Sequence, residues 1–211
     1  MTTVPLTLRT HDGREIFYPR PKSKPKFNLS TGPGISWAMW SYGPVTGCLH
    51  KCPYCYARSI ALSERSKPFY PAGFTPLFHP ERLEAPANTT VPAAHRHDPA
   101  WWRVFVCSMA DLYGWWVPDE WITAVHESEL RNPQWQYIHL TKFPPRYVGL
   151  DFPPKAWVGA SVDEQKRVRL AEEAFREVKG VAVKWLSLEP LLAPLQFTDL
   201  TMFDWVVIGA Q

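Results

Sequence analysis

Three cysteines fall within eight residues, Cys48-Leu-His-Lys-Cys52-Pro-Tyr-Cys55, in the spacing C-x3-C-x2-C. Three thiolates this close cannot all pair as disulfides, but they can converge on one metal centre from a single loop. A [4Fe–4S] cube normally takes four cysteines. Three would leave one iron open to hold a substrate or cofactor. Two other readings stay open. A tetrahedral zinc ion could use the same cysteines with His50 as fourth ligand, although C-x-H-x-C crowds three ligands into five residues and no second C-x2-C knuckle follows. A redox pair of Cys52 and Cys55 is also possible, and it leaves Cys48 without a role.

The elements that must position this loop read as alternating strands and helices. Near-continuous apolar runs at 35–40, 103–107, 136–140, 156–160, 183–187 and 204–208 suit strands buried on both faces, the habit of parallel sheets. A helix from Tyr56 to about Ser66 should follow the cysteine loop. Pro118 suits the first turn of a helix over 118–131, with Trp121, Ile122 and Val125 facing inward. Asp163 is a good N-cap for a helix running to Lys179, with an apolar stripe of Val168, Ala171, Phe175 and Val178 and a stop at Gly180. The expected fold class is therefore α/β, a partial (β/α)6 barrel of parallel strands over residues 35–211. Chemistry gathers at the C-terminal ends of such strands, and each predicted strand runs out into polar side chains. The first leads to the three cysteines and the second to Ser108 and Asp111. Then come Thr141 and Lys142, Ser161 and Asp163, Ser187 and Glu189, and finally Gln211.

The 211 residues fit one domain with a sizeable core. Charged residues make up 20% and hydrophobic ones 45%, a globular balance. No 18-residue apolar run suggests a membrane span, and the N-terminus lacks the layout of a signal peptide. Four cysteines, three of them in one loop, argue against a secreted disulfide scaffold and for a reducing, cytoplasmic setting. The net charge of +3 does not by itself imply nucleic-acid binding. It is unevenly spread: Arg14, Arg20, Lys22, Lys24 and Lys26 oppose only Glu15, with Pro19, Pro21 and Pro25 between them. Residues 1–34 thus read as an extended basic arm, either solvated or in contact with a phosphate backbone. The Pro-rich connection between Lys67 and Ala100 holds Phe78-His-Pro-Glu-Arg-Leu83 and His95-Arg-His97. His95 and His97 could ligate a second metal, or simply be surface histidines.

The cysteine spacing, with aromatic Tyr54 just before the last cysteine, resembles the signature of the radical S-adenosylmethionine (SAM) enzymes. Further strings resemble one group within that superfamily, the uncharacterised radical SAM-like proteins of phages and bacteria, often named only as phage proteins. They are Gly43-Pro-Val-Thr-Gly-Cys48, Cys52-Pro-Tyr-Cys55-Tyr-Ala57, Phe78-His-Pro-Glu-Arg-Leu83, Phe105-Val-Cys-Ser-Met-Ala-Asp-Leu112, Trp116-Val-Pro-Asp-Glu-Trp121, Leu140-Thr-Lys142, Trp157-Val-Gly-Ala-Ser-Val-Asp163, Lys184-Trp-Leu-Ser-Leu-Glu-Pro-Leu-Leu192 and Trp205-Val-Val-Ile-Gly209. Members of that group often place a longer insertion between the first two cysteines, whereas this chain has the compact superfamily spacing. It also stops just after the sixth strand, where the architecture would add a final helix. It therefore reads as short by nature, closed by a partner, or truncated.

The resemblance implies that Cys48, Cys52 and Cys55 hold a [4Fe–4S] cluster and that SAM chelates its open iron. Reductive cleavage of SAM would then generate a 5′-deoxyadenosyl radical that takes a hydrogen atom from a substrate. It places Tyr54 against adenine, Ser108 and Asp111 near the SAM amino group, and Ser161 and Asp163 near the ribose. Glu189 is a further polar anchor, and Lys142 a partner for the SAM carboxylate or a substrate phosphate. Cys107 is a small core residue or a hydrogen-atom donor to a product radical. Expected partners are an external electron donor of the flavodoxin or ferredoxin type and, for some of the group, a neighbouring three-Cys-motif partner protein. Phage association favours a nucleotide or nucleic-acid substrate. A peptide or partner-protein substrate, and a zinc-stabilised binding module, are the alternatives.

Overall fold

The structure, a computed structural model, describes residues 5–30 and 37–209. The strands are β1 (Leu6–Thr10), β2 (Glu15–Tyr18), β3 (Asn28–Leu29), β4 (Trp40–Tyr42), β5 (Val45–Thr46), β6 (Leu77–Phe78), β7 (Arg103–Val106), β8 (Gln136–Thr141), β9 (Trp157–Ser161), β10 (Val183–Leu188) and β11 (Trp205–Ile208). The α-helices are α1 (Tyr56–Leu62), α2 (Ala85–Asn88), α3 (Asp119–Leu130) and α4 (Gln165–Glu177). The protein is mixed α/β with two sheets. The larger has the order β11-β10-β9-β8-β7-β4-β3 and the smaller β2-β1-β6-β5. Strands β4, β7, β8, β9, β10 and β11 pair in parallel, and β3 joins antiparallel at one edge.

The parallel strands form where apolar runs can be buried on two faces. On one face, Val104, Val106, Tyr137, Val158, Ala160, Leu186 and Leu188 join the main core, which also takes in Trp121, Ile122 and Val125 of α3 and Val168, Ala171 and Phe175 of α4. The other face carries an aromatic layer. Phe105, Ile138 and Trp185 pack with Trp37, Trp157 and Trp205, and Trp37 meets Phe105 at 5.0 Å and Trp185 at 5.2 Å in edge contacts.

Several boundaries differ from expectation. The first parallel strand is Trp40–Tyr42 rather than 35–40, because the ladder to β7 sets Trp40 opposite Val104 and Tyr42 opposite Val106. Trp37 and Ala38 serve the aromatic layer instead. Ile35, Ser36 and Gln211 lie outside the described residues. Helix α1 ends at Leu62, where the extended backbone of Ser63 stops it. Asp163 does not cap α4. The helix starts at Gln165 with Glu164 in the cap position and no side-chain cap bond, since both Asp163 oxygens are held by other partners.

The smaller sheet changes the picture of the N-terminal arm. Residues 6–18 form a β-hairpin, with Leu6 opposite Tyr18 and Leu8 opposite Ile16, and Leu8, Tyr18 and Leu77 form its core. Arg20, Lys22, Lys24 and Lys26 follow in an exposed stretch without regular structure. Strand β6 bridges the hairpin to β5, immediately before the cysteine loop.

Candidate functional site

The cysteine loop is held between the two sheets. The Gly47 amide donates to the Met109 carbonyl at 2.9 Å and the Cys48 amide to the Phe74 carbonyl at 3.1 Å. Gly47 has φ +85°, and a Cβ there would lie 2.4 Å from the Thr75 carbonyl oxygen, so only glycine lets the loop pass. The Phe78-His-Pro-Glu-Arg-Leu83 string braces the same region. Buried His79 meets the Thr46 hydroxyl at 3.0 Å, and Arg82 donates to the Gly43 carbonyl at 2.9 Å. Past the loop, the Cys55 sulfur accepts from the Arg58 amide at 3.3 Å at the start of α1.

A cavity of about 390 Å³ opens where this loop faces the ends of the parallel strands, within the usual range for small-molecule sites. Cys48, Cys52, Cys55 and Tyr54 line one side. Cys107, Ser108 and Asp111 follow β7, Lys142 follows β8, Ser161 ends β9, and Ser187 and Glu189 come from β10 and its exit. Trp37, Phe105 and Leu140 supply an apolar floor. Among the described residues read as holding the cluster or SAM, Asp163 alone does not line the cavity, and it bonds to two side chains that do.

Two buried carboxylates organise this site. Asp111 Oδ1 accepts from the Thr141 hydroxyl at 2.7 Å and the Tyr113 amide at 3.0 Å. Its Oδ2 accepts from the Lys142 amide at 2.9 Å and meets His50 Nε2 at 2.7 Å. Burial alone would raise its pKa, but His50, Thr141 and the Lys142 amide together hold it below the ordinary carboxylate value. With both oxygens engaged, Asp111 ties the cysteine loop to β8 rather than presenting a free carboxylate to a ligand. The same bond commits His50 Nε2 to Asp111 and not to a metal.

Asp163 is the second organiser. Its Oδ2 accepts from Lys142 Nζ at 2.8 Å and from the Tyr54 hydroxyl, and its Oδ1 from Arg167 Nε at 2.7 Å. Burial again opposes ionisation, and the Lys142 and Tyr54 bonds with the Arg167 charge overcome it, lowering the pKa to about 2. Lys142 Nζ also donates to the Tyr54 hydroxyl at 2.8 Å and to Ser161 Oγ at 3.2 Å. The Tyr54 phenol is thereby drawn across the cavity, with its ring 5.3 Å from the Lys142 ammonium.

The remaining candidates are less constrained. Ser108 lines the cavity, and its carbonyl accepts from Tyr56. Glu189 stands at the exposed rim against Gly209, where a Cβ would come within 2.4 Å of its carboxylate. Cys107 is buried, has φ +59°, and its thiol is pushed up to about 12 by burial. His95 stacks on Trp101 at 3.9 Å and His97 is exposed, so neither joins a metal-type cluster. Sequence reasoning missed the Asp111–His50 tie and the Arg167 brace. It also missed a buried His126–Glu129–His139 group, whose members come from a helix and a strand.

All four cysteines are free thiols. Burial, reinforced by the Asp111 carboxylate, raises Cys48 to about 12, so a cation is needed to hold it as thiolate. Three thiols on one loop facing one cavity are soft donors of the kind that both iron–sulfur clusters and zinc take.

No helix among the described residues is long and apolar enough to cross a membrane. No curated protein and no solved structure matches the chain. Residues 32–211 match the family described as Protein of unknown function (DUF5131), and the protein belongs to that family.

Proposed function

We propose that the protein is a radical SAM enzyme that holds a [4Fe–4S] cluster through Cys48, Cys52 and Cys55 and acts on a substrate of the nucleotide or nucleic-acid class. The observation that carries this reading is the cavity itself: three free thiols on one wall, and on the other the polar ends of parallel strands. The succession β4-β7-β8-β9-β10-β11 in both chain and sheet, with α3 and α4 between strands, supports reading the larger sheet as a partial (β/α)6 barrel.

A cluster held by Cys48, Cys52 and Cys55, together with SAM, would supply one-electron radical chemistry at this cavity. The chain's own residues orient the reactants and exclude water. Lys142, whose three protons are held by Asp163, Tyr54 and Ser161, lends its positive charge to the wall that would face a carboxylate or phosphate, and Ser108, Ser161 and Ser187 line the cavity beside it. Tyr54 presents a ring to a nucleobase, and Trp37 with Phe105 closes the floor. Asp111 and Asp163 set the loop and Lys142 in place. Cys107, a buried residue of the main core that also lines the cavity, would in this reading give a hydrogen atom to a product radical. Exposed Arg20, Lys22, Lys24 and Lys26 suit phosphate contact by a nucleic-acid substrate. An external electron donor of the flavodoxin or ferredoxin type and a reducing, cytoplasmic setting complete the reading.

The test is SAM binding and turnover by the anaerobically reconstituted, reduced protein. It should bind SAM and release 5′-deoxyadenosine slowly without substrate. Tyr54→Ala should weaken binding by about 1–2 kcal/mol, the scale of one aromatic contact on a base. A protein with an intact cluster and no SAM binding would end the enzyme reading and leave a redox or structural role.

A further inference from the structure

A second cavity, of about 460 Å³, lies where three neighbouring parallel strands begin. Trp102 stands just before β7, Gln136 opens β8, and Lys155 lies two residues before β9. Arg96 and His97, in the turn ahead of them, complete the wall. Five steps of about 3.3 Å along β8 put Gln136 roughly 16 Å from Thr141, whose hydroxyl holds Asp111 at the first cavity. The two cavities therefore occupy opposite ends of the same sheet.

The chemistry of this wall is that of an anion site. Among the described residues no aspartate or glutamate lines it. Arg131 and Arg146 pair with Glu127 and Asp119. Neither Arg96 nor Lys155 enters an ion pair among the described residues, and both are exposed. Gln136 accepts from Arg103 Nε on its oxygen at 3.2 Å, which turns its NH2, a donor only, the other way. Trp102 gives its indole N–H to the Arg96 carbonyl at 3.0 Å and packs on buried Trp135 at 5.5 Å. It therefore offers the cavity a fixed aromatic surface rather than a hydrogen bond. Cations and an amide donor beside a rigid indole suit a phosphate that carries a flat base.

The basic arm runs into the same place. Phe27, the residue after Lys26, packs on Trp135 at 5.0 Å, and its amide donates to the Thr89 hydroxyl at 2.8 Å. Trp135 thus has both Phe27 and Trp102 against it, and the exposed run of Arg20, Lys22, Lys24 and Lys26 ends beside the cavity wall. A polymer with regularly spaced phosphates can use both cationic segments, whereas a single small anion can use only one. A base that stacks on Trp102 must be unpaired, because a duplex keeps its base faces stacked on one another.

We infer that Arg96, Lys155, Gln136 and Trp102 form a subsite for single-stranded nucleic acid, with phosphates on the two cations and one base against the indole. It anchors a strand at the end of the sheet opposite the cysteine loop. It rests on the nucleic-acid part of the proposed function and on none of its SAM chemistry, so it stands whether or not the cysteines hold iron.

The test is fluorescence anisotropy of the full chain, without SAM or reductant, against labelled oligothymidylate and oligouridylate of about 12 nucleotides and a duplex of the same length. Wild type should bind the single strands about tenfold or more tighter than the duplex. Arg96→Gln combined with Lys155→Gln should weaken single-strand binding about tenfold and lower the salt slope by about 1.4, at about 0.7 per phosphate contact. Trp102→Leu should weaken it about fivefold or more and leave the slope unchanged. Because that indole also packs on Trp135, a thermal melt checks its folding, and the exposed Arg96 and Lys155 pair decides independently. Lys166→Gln with Arg169→Gln removes as many exposed charges on α4 and should leave binding unchanged. Wild-type binding that the Arg96 and Lys155 variant retains in full would overturn the subsite and leave nucleic-acid contact to the arm. An equal loss in the α4 variant, which would reduce the effect to net charge, would also overturn it. So would equal affinity for duplex, or displacement of the strand by an equal concentration of thymidine or uridine monophosphate. No binding by wild type would overturn the subsite and the nucleic-acid reading together, and would leave SAM turnover to be judged by its own test.

Discussion

Asp111→Asn isolates the tie between the cysteine loop and the strand ends. The replacement keeps an oxygen for the Thr141 hydroxyl and the Tyr113 amide, at 2.7 and 3.0 Å. On the other side an NH2 replaces the oxygen that accepts from the Lys142 amide at 2.9 Å. Donor then faces donor in a buried site, whichever way the amide is turned. His50, 2.7 Å away, can answer by changing tautomer, but the Lys142 amide cannot. One bond to a charged acceptor is lost and one buried N–H is orphaned, a cost of about 2–4 kcal/mol. Urea titration should show the midpoint falling with an unchanged slope. A double-mutant cycle with His50→Ala should give a coupling of about 1–3 kcal/mol. Alkylation of Cys48 in the metal-free protein should quicken, because the loop has lost its anchor. A stability loss below about 0.5 kcal/mol with no coupling would refute the assignment of Asp111 as that anchor.

Two further outcomes follow from the same geometry. Asp163 has its pKa depressed to about 2 from 3.8 and a side chain only 7% exposed. Its contribution of about 2 kcal/mol is therefore fully present above pH ~4 and lost as pH falls toward ~2; acid titration of stability should show this decline, and Asp163→Asn should lack it. Gly47→Ala forces φ +85° and a 2.4 Å approach to a carbonyl oxygen, and should cost about 2–4 kcal/mol by urea titration. Gly13→Ala, with φ +83° but nothing within 4 Å, should cost only about 1 kcal/mol by the same measurement.

The parallel strands were legible as short apolar runs, most of them buried on two faces, a pattern the side chains carry locally; β11 keeps the run although Val206 and Ile208 are exposed on one face. The cavity wall was legible for a related reason: in such sheets the polar residues just past each run must meet at one end. The smaller sheet was not read. β5 and β6 are two residues each, too short for a period, and the charge of residues 14–26 draws attention from a hairpin signal beside it. That signal is Asp12-Gly13 flanked by alternating Leu6, Leu8 and Ile16, Tyr18. Asp163 shows a different limit. An aspartate before a helical stripe reads as a cap, and the partners that claim it, Tyr54 and Lys142, lie 109 and 21 residues away in sequence. The His126–Glu129–His139 group is invisible for the same reason, since only the i, i+3 pair on α3 is local.

The central claim, a cluster held by three cysteines, is tested most directly by assaying iron and sulfide in anaerobically reconstituted protein beside four single variants. Wild type should hold about four irons and four sulfides per chain. Cys48→Ala, Cys52→Ala and Cys55→Ala should each lose them, and Cys107→Ala should keep them. A wild-type protein that takes up zinc in place of iron at the cysteine loop, or a Cys107→Ala protein that cannot hold the cluster, would contradict the account.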